Sequence, residues 1–241
     1  MISRNEIKRI RSLKLKKYRI LENKFLVEGV KNVNEVLNSD FKVHNLFATE
    51  KVADSFLLQN PSIVTEKQLK EISSLASNST CLAVVEMKNS SLHIDRQKHL
   101  FVLDDVSDPG NLGTIIRTID WFGFEQVICT PDCAEFYNPK TISATMGSFT
   151  RIQPQYADPA FLSQVEGDIF GMVMDGEPIE KLHPEGPSVF ILGSESHGIR
   201  PSLLGKINRP VTIQGKGKAD SLNVAIAASI LCYQLSLGKG Q

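Results

Sequence analysis

The chain has 241 residues, 41% of them hydrophobic and 22% charged, with 27 basic and 27 acidic side chains. This composition is typical of a soluble globular protein with an ample core. Apolar runs fall short of the ~20 residues that a spanning helix needs, and residues 1–20 lack a signal-peptide pattern, so we expect neither a membrane protein nor a secreted one.

The four cysteines, Cys81, Cys129, Cys133 and Cys232, match no disulfide framework and no zinc-binding spacing. Cys129 and Cys133 are four residues apart, but no histidine pair lies near them in the sequence. We therefore predict reduced thiols, no metal site and a cytoplasmic location.

Basic residues are concentrated at the N-terminus, although the formal net charge of the chain is zero. Residues 1–24 contain nine basic and two acidic side chains, so the rest of the chain is acidic. Lys and Arg displace counterions from phosphates, which favours nucleic acid as a partner over a merely solvated helix face. The candidate RNA-binding residues are Arg4, Lys8, Arg9, Arg11, Lys14, Lys16 and Lys17.

The first part of the chain alternates between helical and strand patterns. Ile7, Ile10 and Leu13 recur at helical spacing, and Thr65 is a candidate cap for a helix in "TEKQLKEISSLA". A further helix is predicted for "VKNVNEVLN", and strands for "FLVEG", "VHNLFATE" and "TCLAVVEM". We expect a compact α/β module over residues 1–90 and a polar linker over 91–99.

A second α/β unit is predicted over residues 100–241. Strand patterns at "HLFVLDDV", "FEQVICTP", "DIFGMVMDG", "SVFILGSE" and "RPVTIQ" alternate with helical patterns, the clearest being "NLGTIIRTIDWFG" and "SLNVAIAASILCYQLSLG". This order predicts a mostly parallel sheet covered on both faces, with ligands at the carboxyl ends of its strands. The candidate site therefore lies in three loops, at 104–113, 193–201 and 214–223.

The first loop turns at Pro109-Gly110 and enters a helix whose free N–H groups could hold an anion. Its "GNLG" lacks the spacing of a dinucleotide-binding loop. Asn111 and Arg117 are six residues apart and so lie on different stripes of the helix. Spacing alone favours a helix cap for Asn111 and a surface ion pair for Arg117.

The second loop, "FILGSESHGI", resembles a hydrolase nucleophile elbow only superficially, because Glu195 stands where the serine should be and the second glycine comes one residue late. Gly193 ends a strand where a side chain would obstruct a ligand or a tight turn. Gly198 suits a positive φ. An ordinary loop with a solvated glutamate is the alternative.

The third loop is not a phosphate-binding P-loop, since its Lys218 is not followed by Ser or Thr. Asp220 or Ser221 is expected to cap a helix that begins near Leu222. The polar residues Asp220, Ser221 and Asn223 are more than one cap requires, although capping alone could explain them.

In this order the three loops resemble the SpoU family of RNA ribose methyltransferases, part of the SPOUT superfamily. The similar motifs are "DPGNLGTIIRT", "ILGSESHGIRPSLL" and "PVTIQGKGKADSLNVAIAASILCYQL". The segment "FLVEGVKNVNEVL" resembles the substrate-binding domain of ribosomal-RNA members. The resemblance covers nearly the whole chain.

The resemblance implies a sheet with a deep trefoil knot, an S-adenosylmethionine pocket in the knot and a homodimer formed through the knotted domains. Arg117 would orient the substrate phosphate and stabilise alkoxide charge, because a guanidinium rarely loses its proton. The implied cofactor-binding residues are Gly193, Glu195, Gly198, Ile213 and Leu222. The implied catalytic residues are Asn111, Arg117, Glu195, Ser221 and Asn223.

We therefore expect an S-adenosylmethionine-dependent RNA 2′-O-methyltransferase. The separate N-terminal module, together with a chain end shortly after the third motif, favours ribosomal RNA over transfer RNA as the substrate. Two other classes stay open, namely a non-catalytic RNA-binding protein of the same fold and a small-molecule α/β enzyme such as a dehydrogenase.

Overall fold

The computed structural model describes residues 2–75, 77–88 and 91–238. The chain forms two compact units. The first comprises residues 1–89 together with 137–150, and the second comprises 90–136 with 151–241.

The regular elements follow one another largely as the sequence patterns predict. The helices are α1 (Arg4–Ser12), α2 (Lys16–Glu22), α3 (Val30–Leu37), α4 (Glu66–Ile72), α5 (Pro109–Trp121), α6 (Pro139–Thr145), α7 (Pro201–Leu204) and α8 (Val224–Leu237). The strands are β1 (Lys24–Glu28), β2 (Val43–Ala48), β3 (Ser62–Ile63), β4 (Cys81–Glu86), β5 (Leu100–Leu103), β6 (Gln126–Cys129), β7 (Gln155–Tyr156), β8 (Ile169–Pro178), β9 (Val189–Leu192) and β10 (Arg209–Thr212).

The first unit is built on a four-stranded mixed sheet in the order β1-β4-β2-β3. β4 runs antiparallel to β1 and β2, and β3 runs parallel to β2. Helices α1 and α4 pack on this sheet through one buried apolar cluster that includes Ile10, Leu13, Leu69 and Ile72. The predicted helical spacing of Ile10 and Leu13 thus reflects real burial.

A segment from much later in the chain belongs to the first unit. The ring of Tyr137 lies 4.6 Å from that of Phe25, and its hydroxyl accepts a hydrogen bond from the Lys88 backbone N–H at 2.9 Å. Phe149 packs edge-on against Phe25 at 6.1 Å. The sequence pattern gives no sign of this exchange, because it depends on long-range contacts between aromatic rings.

The second unit contains a six-stranded sheet in the order β10-β8-β9-β5-β6-β7. Every strand pairing in it is parallel, which confirms the predicted sheet type. Leu100–Leu103 and Val189–Leu192 are buried along their whole length, as strands covered on both faces must be. The trefoil knot implied by the resemblance stays a prediction.

The four cysteines are buried and unpaired. Among the described residues, no helix has both the length and the hydropathy needed to cross a bilayer. The same part of the chain holds no cluster of three or more His, Cys, Asp or Glu side chains able to bind a metal ion.

Candidate functional site

The three candidate loops follow β5, β9 and β10, at the carboxyl ends of parallel strands. The first loop contains strained backbone, because Asp105 adopts a left-handed conformation with φ +55° although it is not glycine. Its amide is held there by the Thr130 hydroxyl at 3.0 Å. Such strain is often found at functional sites.

The second loop is a tight reversal closed by its own backbone. Ser194 and Gly198 exchange two backbone hydrogen bonds of 2.9 and 3.2 Å. Gly198 has φ +64°, as predicted. A Cβ on Gly193 would lie 2.1 Å from the carbonyl carbon of Gly198 and 2.4 Å from the nitrogen of Ile199. Gly193 is therefore required for the tight turn itself.

The tip of this loop binds to residues from the other two loops. One carboxylate oxygen of Glu195, Oε1, accepts hydrogen bonds from the side-chain amides of Asn111, at 2.5 Å, and Asn223, at 3.2 Å. The Asn223 amide also donates to Asn111 Oδ1 at 3.1 Å. These three residues, hereafter the polar triad, are 84 and 28 positions apart along the chain, and the fold brings them together.

The polar triad lies where two helices begin. The side chain of Asp108 caps α5 by accepting a hydrogen bond from the backbone N–H of Asn111. In the same way, the side chain of Asn223 caps α8 by accepting a hydrogen bond from the backbone N–H of Ala225. The backbone N–H of Val224 also points to Glu195 Oε1 at 3.4 Å. A carboxylate is favoured here because the first N–H groups of a helix carry partial positive charge. The prediction that Asp220 or Ser221 caps α8 is wrong. The helix begins two residues later than predicted, and Asn223 has the capping geometry.

An ion pair that no sequence motif predicted fixes the far end of the second loop. Arg200 donates to Asp104 from its backbone N–H at 2.8 Å and from Nε at 2.5 Å. Its Nη2 reaches Asp132 at 3.0 Å. Asp104 is 1% exposed and directly follows β5. The available signal was an acidic residue after a buried strand, matched by an arginine in a neighbouring loop.

The remaining predicted site residues are not joined to the polar triad. Arg117 is exposed on α5, about 9 Å further along the helix axis than Asn111. It forms no hydrogen bond or ion pair with any residue that the structure describes, so the surface ion pair favoured by spacing is not observed. Ser221 and Leu222 are exposed before α8, and Ile213 is half-buried directly after β10.

The seven candidate RNA-binding residues all lie on α1, α2 and the turn between them. Arg4, Lys8 and Arg11 are exposed at helical spacing, and Lys16 and Lys17 are exposed at the start of α2. Lys14 is half-buried, and Arg9 forms an ion pair with Glu22 at 2.6 Å.

Comparison with known families identifies this architecture. A model of the MRM3-like substrate binding domain matches residues 4–83. A model of the SpoU rRNA Methylase family matches residues 98–233, more than half of the chain. The chain belongs to the SpoU rRNA methylase family. The resemblance drawn from the three loop motifs is thereby confirmed, and the three loops all lie within the matched part of this SpoU methylase.

Individual relatives match this SpoU methylase from end to end. The 23S rRNA (guanosine(2553)-2′-O)-methyltransferase RlmP of Bacillus subtilis is 30% identical over 240 residues, covering 95% of each chain. A solved structure of a TrmH-family protein from Porphyromonas gingivalis has 32% identity and a TM-score of 0.83, covering 97% of this chain and 98% of that one. An AdoMet-bound rRNA methyltransferase from Sinorhizobium meliloti has 28% identity and a TM-score of 0.86, covering 100% and 98%.

Proposed function

We propose that this SpoU methylase transfers a methyl group from S-adenosylmethionine to a ribose 2′-hydroxyl of ribosomal RNA. The observation that carries the proposal is the similarity to a 23S rRNA 2′-O-methyltransferase over 95% of both chains. That similarity extends through the first unit, most of which matches a substrate-binding domain. Ribosomal RNA is therefore favoured over transfer RNA.

The cofactor is S-adenosylmethionine, and the residues present fit it. Its sulfonium supplies an electrophilic methyl group. Leu222 is 46% exposed although it is apolar, and Ile213 is half-buried at the other end of the same loop. Such side chains suit an adenine ring, whose polar edge the loop backbone can recognise. We assign cofactor binding to these two residues and to the reversal at Gly193, Glu195 and Gly198.

The chain's own contribution to the reaction is positioning and charge. The 2′-hydroxyl must be aligned with the methyl group and must lose its proton, so negative charge develops on its oxygen. A guanidinium is a positively charged donor group in proteins. That of Arg117 has no hydrogen-bond or ion-pair partner among the described residues. We assign to it the stabilisation of that charge and the orientation of the adjacent phosphate.

The polar triad fixes the second loop relative to the first turns of α5 and α8, because its three side chains hydrogen-bond to one another. This keeps the residues that contact the target nucleotide in place. Ser221, two residues before Asn223, is exposed and available to that nucleotide.

The proposed function predicts one missing ribose methylation in ribosomal RNA from cells that lack this protein. Mass-spectrometric mapping of ribose methylation, with and without the gene, would locate it. Complementation with the wild-type chain should restore the mark, and a chain carrying Arg117→Ala should not. A lost mark in transfer RNA would instead support the alternative substrate. If ribose methylation is unchanged although the protein binds S-adenosylmethionine, the result would favour a non-catalytic RNA-binding protein.

We further propose that the second unit pairs with a second copy of itself. α8 carries an apolar stripe on its outer face, with Ile226, Tyr233 and Leu237 each more than half exposed. Trp121 at the end of α5 is 80% exposed, and the adjacent Phe122 ring contacts Tyr233 at 6.4 Å. Several exposed apolar side chains on neighbouring helices are typical of a protein interface.

The homodimer predicts that Ile226→Glu weakens self-association by more than about a hundredfold, because a carboxylate would be buried without a partner. Analytical ultracentrifugation of the wild-type chain should give twice the monomer mass, and the variant should give the monomer mass. Leu58→Glu is the matched control, since Leu58 is 96% exposed in the first unit. A monomeric wild-type chain would overturn the homodimer.

We also propose a cytoplasmic location for this SpoU methylase. The four cysteine thiols are unpaired, which is typical of proteins in a reducing compartment.

A further inference from the structure

Two helices of the first unit frame a groove whose α1 side carries two of the candidate RNA-binding residues and whose α4 side has been given no role so far. The groove lies between α1 and α4 and has a volume of about 650 Å³. Four of its six lining residues are basic. The lining residues are Arg11, Lys14, Glu66, Lys67, Lys70 and Glu71.

The walls of the groove are fixed by packing beneath it. Ile10 and Leu13 of the α1 side share one buried cluster with Leu69 and Ile72 of α4. The start of α4 is held by a capping box, in which the Thr65 side chain and its partner three residues on satisfy each other's backbone amides. The separation of the two helices is therefore set before any ligand binds.

A buried arginine holds the turn that places Lys14 in the groove. Arg19 is 2% exposed, and its Nη1 donates to the backbone carbonyls of Leu13 and Lys14, both at 2.8 Å. Carbonyls at the end of a helix have no partner within that helix, so this contact fixes the chain as it leaves α1. Arg19 is a structural residue and is not available to RNA.

The charges of the groove are poorly balanced within the protein. Within the part of the chain that the structure describes, Arg11, Lys14, Lys67 and Lys70 form no ion pair. Of the two acidic lining residues, Glu66 is bound by Lys51 at 2.5 Å, which leaves Glu71 to offset four positive charges. Burial and the positive charge of Arg11 lower the pKa of Lys14, so a bound anion would relieve an unfavourable environment.

We propose that the groove between α1 and α4 binds backbone phosphates of the RNA substrate, with Lys67 and Lys70 as contacts from α4. The exposed stripe of Arg4, Lys8 and Arg11 extends about 10 Å along α1 and ends at the groove. Phosphate contacts from two fixed helices set the orientation of an RNA without reading its bases. The inference rests on the proposed RNA substrate.

The test removes the two α4 charges together. K67Q/K70Q should raise the Kd for a ribosomal RNA transcript that the wild-type chain methylates by at least about tenfold at low salt. The slope of log Kd against log salt should fall by roughly 1–2, because two phosphate contacts are lost. KM for RNA should rise, whereas kcat and the affinity for S-adenosylmethionine should not change.

Two further variants make the result decisive. K42Q/K98Q removes the same charge from lysines already held by Glu86 and Glu125, and it should bind RNA as the wild-type chain does. K67R/K70R keeps the charge and should keep the affinity and the salt slope, which excludes a purely structural loss in K67Q/K70Q. If K67Q/K70Q and K42Q/K98Q have equal Kd values and equal salt slopes, the proposal that the groove binds RNA phosphates is wrong. A wild-type chain that methylates no RNA would instead overturn the proposed function.

Discussion

Replacing Arg117 with alanine is expected to lower the rate of methyl transfer by about 10²–10³-fold, the usual cost of losing one group that stabilises developing charge. The affinity for S-adenosylmethionine should stay within about twofold, since the proposed cofactor residues lie in other loops. Isothermal titration calorimetry with S-adenosylmethionine and a single-turnover assay with labelled methyl groups would measure the two effects separately.

The structure explains why the two effects should separate. Arg117 is exposed and makes no hydrogen bond or ion pair to any described residue, so its removal leaves no buried group without a partner. α5 keeps its buried face, which includes Ile115, Ile116 and Ile119. The melting temperature should therefore be unchanged, and a lost rate would report the chemistry.

Arg209→Ala is the matched control for this experiment. Arg209 starts β10 and pairs with Asp168, which precedes β8, so it lies at the opposite end of the parallel strands from the three loops. This variant should retain full activity. A large loss of cofactor affinity in Arg117→Ala would show that the guanidinium contacts the cofactor, and the proposed role would then be wrong.

The elements of the fold were predictable where burial imposes a strong pattern on the sequence. The wholly apolar β5 and β9 and the long apolar α8 are such cases. The break between α1 and α2 was not predictable, because it depends on Arg19 binding two backbone carbonyls. Nor was the membership of residues 137–150 in the first unit, which rests on aromatic contacts across more than a hundred residues.

The candidate site shows the same division. The topology rule for parallel sheets located all three loops. It could not show that Asn111, Glu195 and Asn223 share hydrogen bonds, since spacing along the chain does not encode contacts between distant loops. The cap of α8 was misassigned because Asp220, Ser221 and Asn223 are all good capping residues, and only the backbone geometry selects Asn223.

Gly193→Ala should abolish tight binding of S-adenosylmethionine, with a Kd raised by more than about tenfold, because the reversal at the end of β9 cannot form around a side chain. The added Cβ would lie 2.1–2.4 Å from backbone atoms of Gly198 and Ile199. No rotamer change relieves a clash with backbone, so the loop must open. Opening it would move Glu195 away from Asn111 and Asn223.

The matched control is Gly186→Ala, which makes the same change in the turn before β9, where an added Cβ would meet no atom within 4 Å. That variant should bind the cofactor as the wild-type chain does. In Gly193→Ala the parallel sheet should persist, since β9 ends before the substitution, and far-ultraviolet circular dichroism would check this. Retained cofactor affinity in Gly193→Ala would mean that the reversal does not form the cofactor site. The assignment would then rest on Ile213 and Leu222 alone.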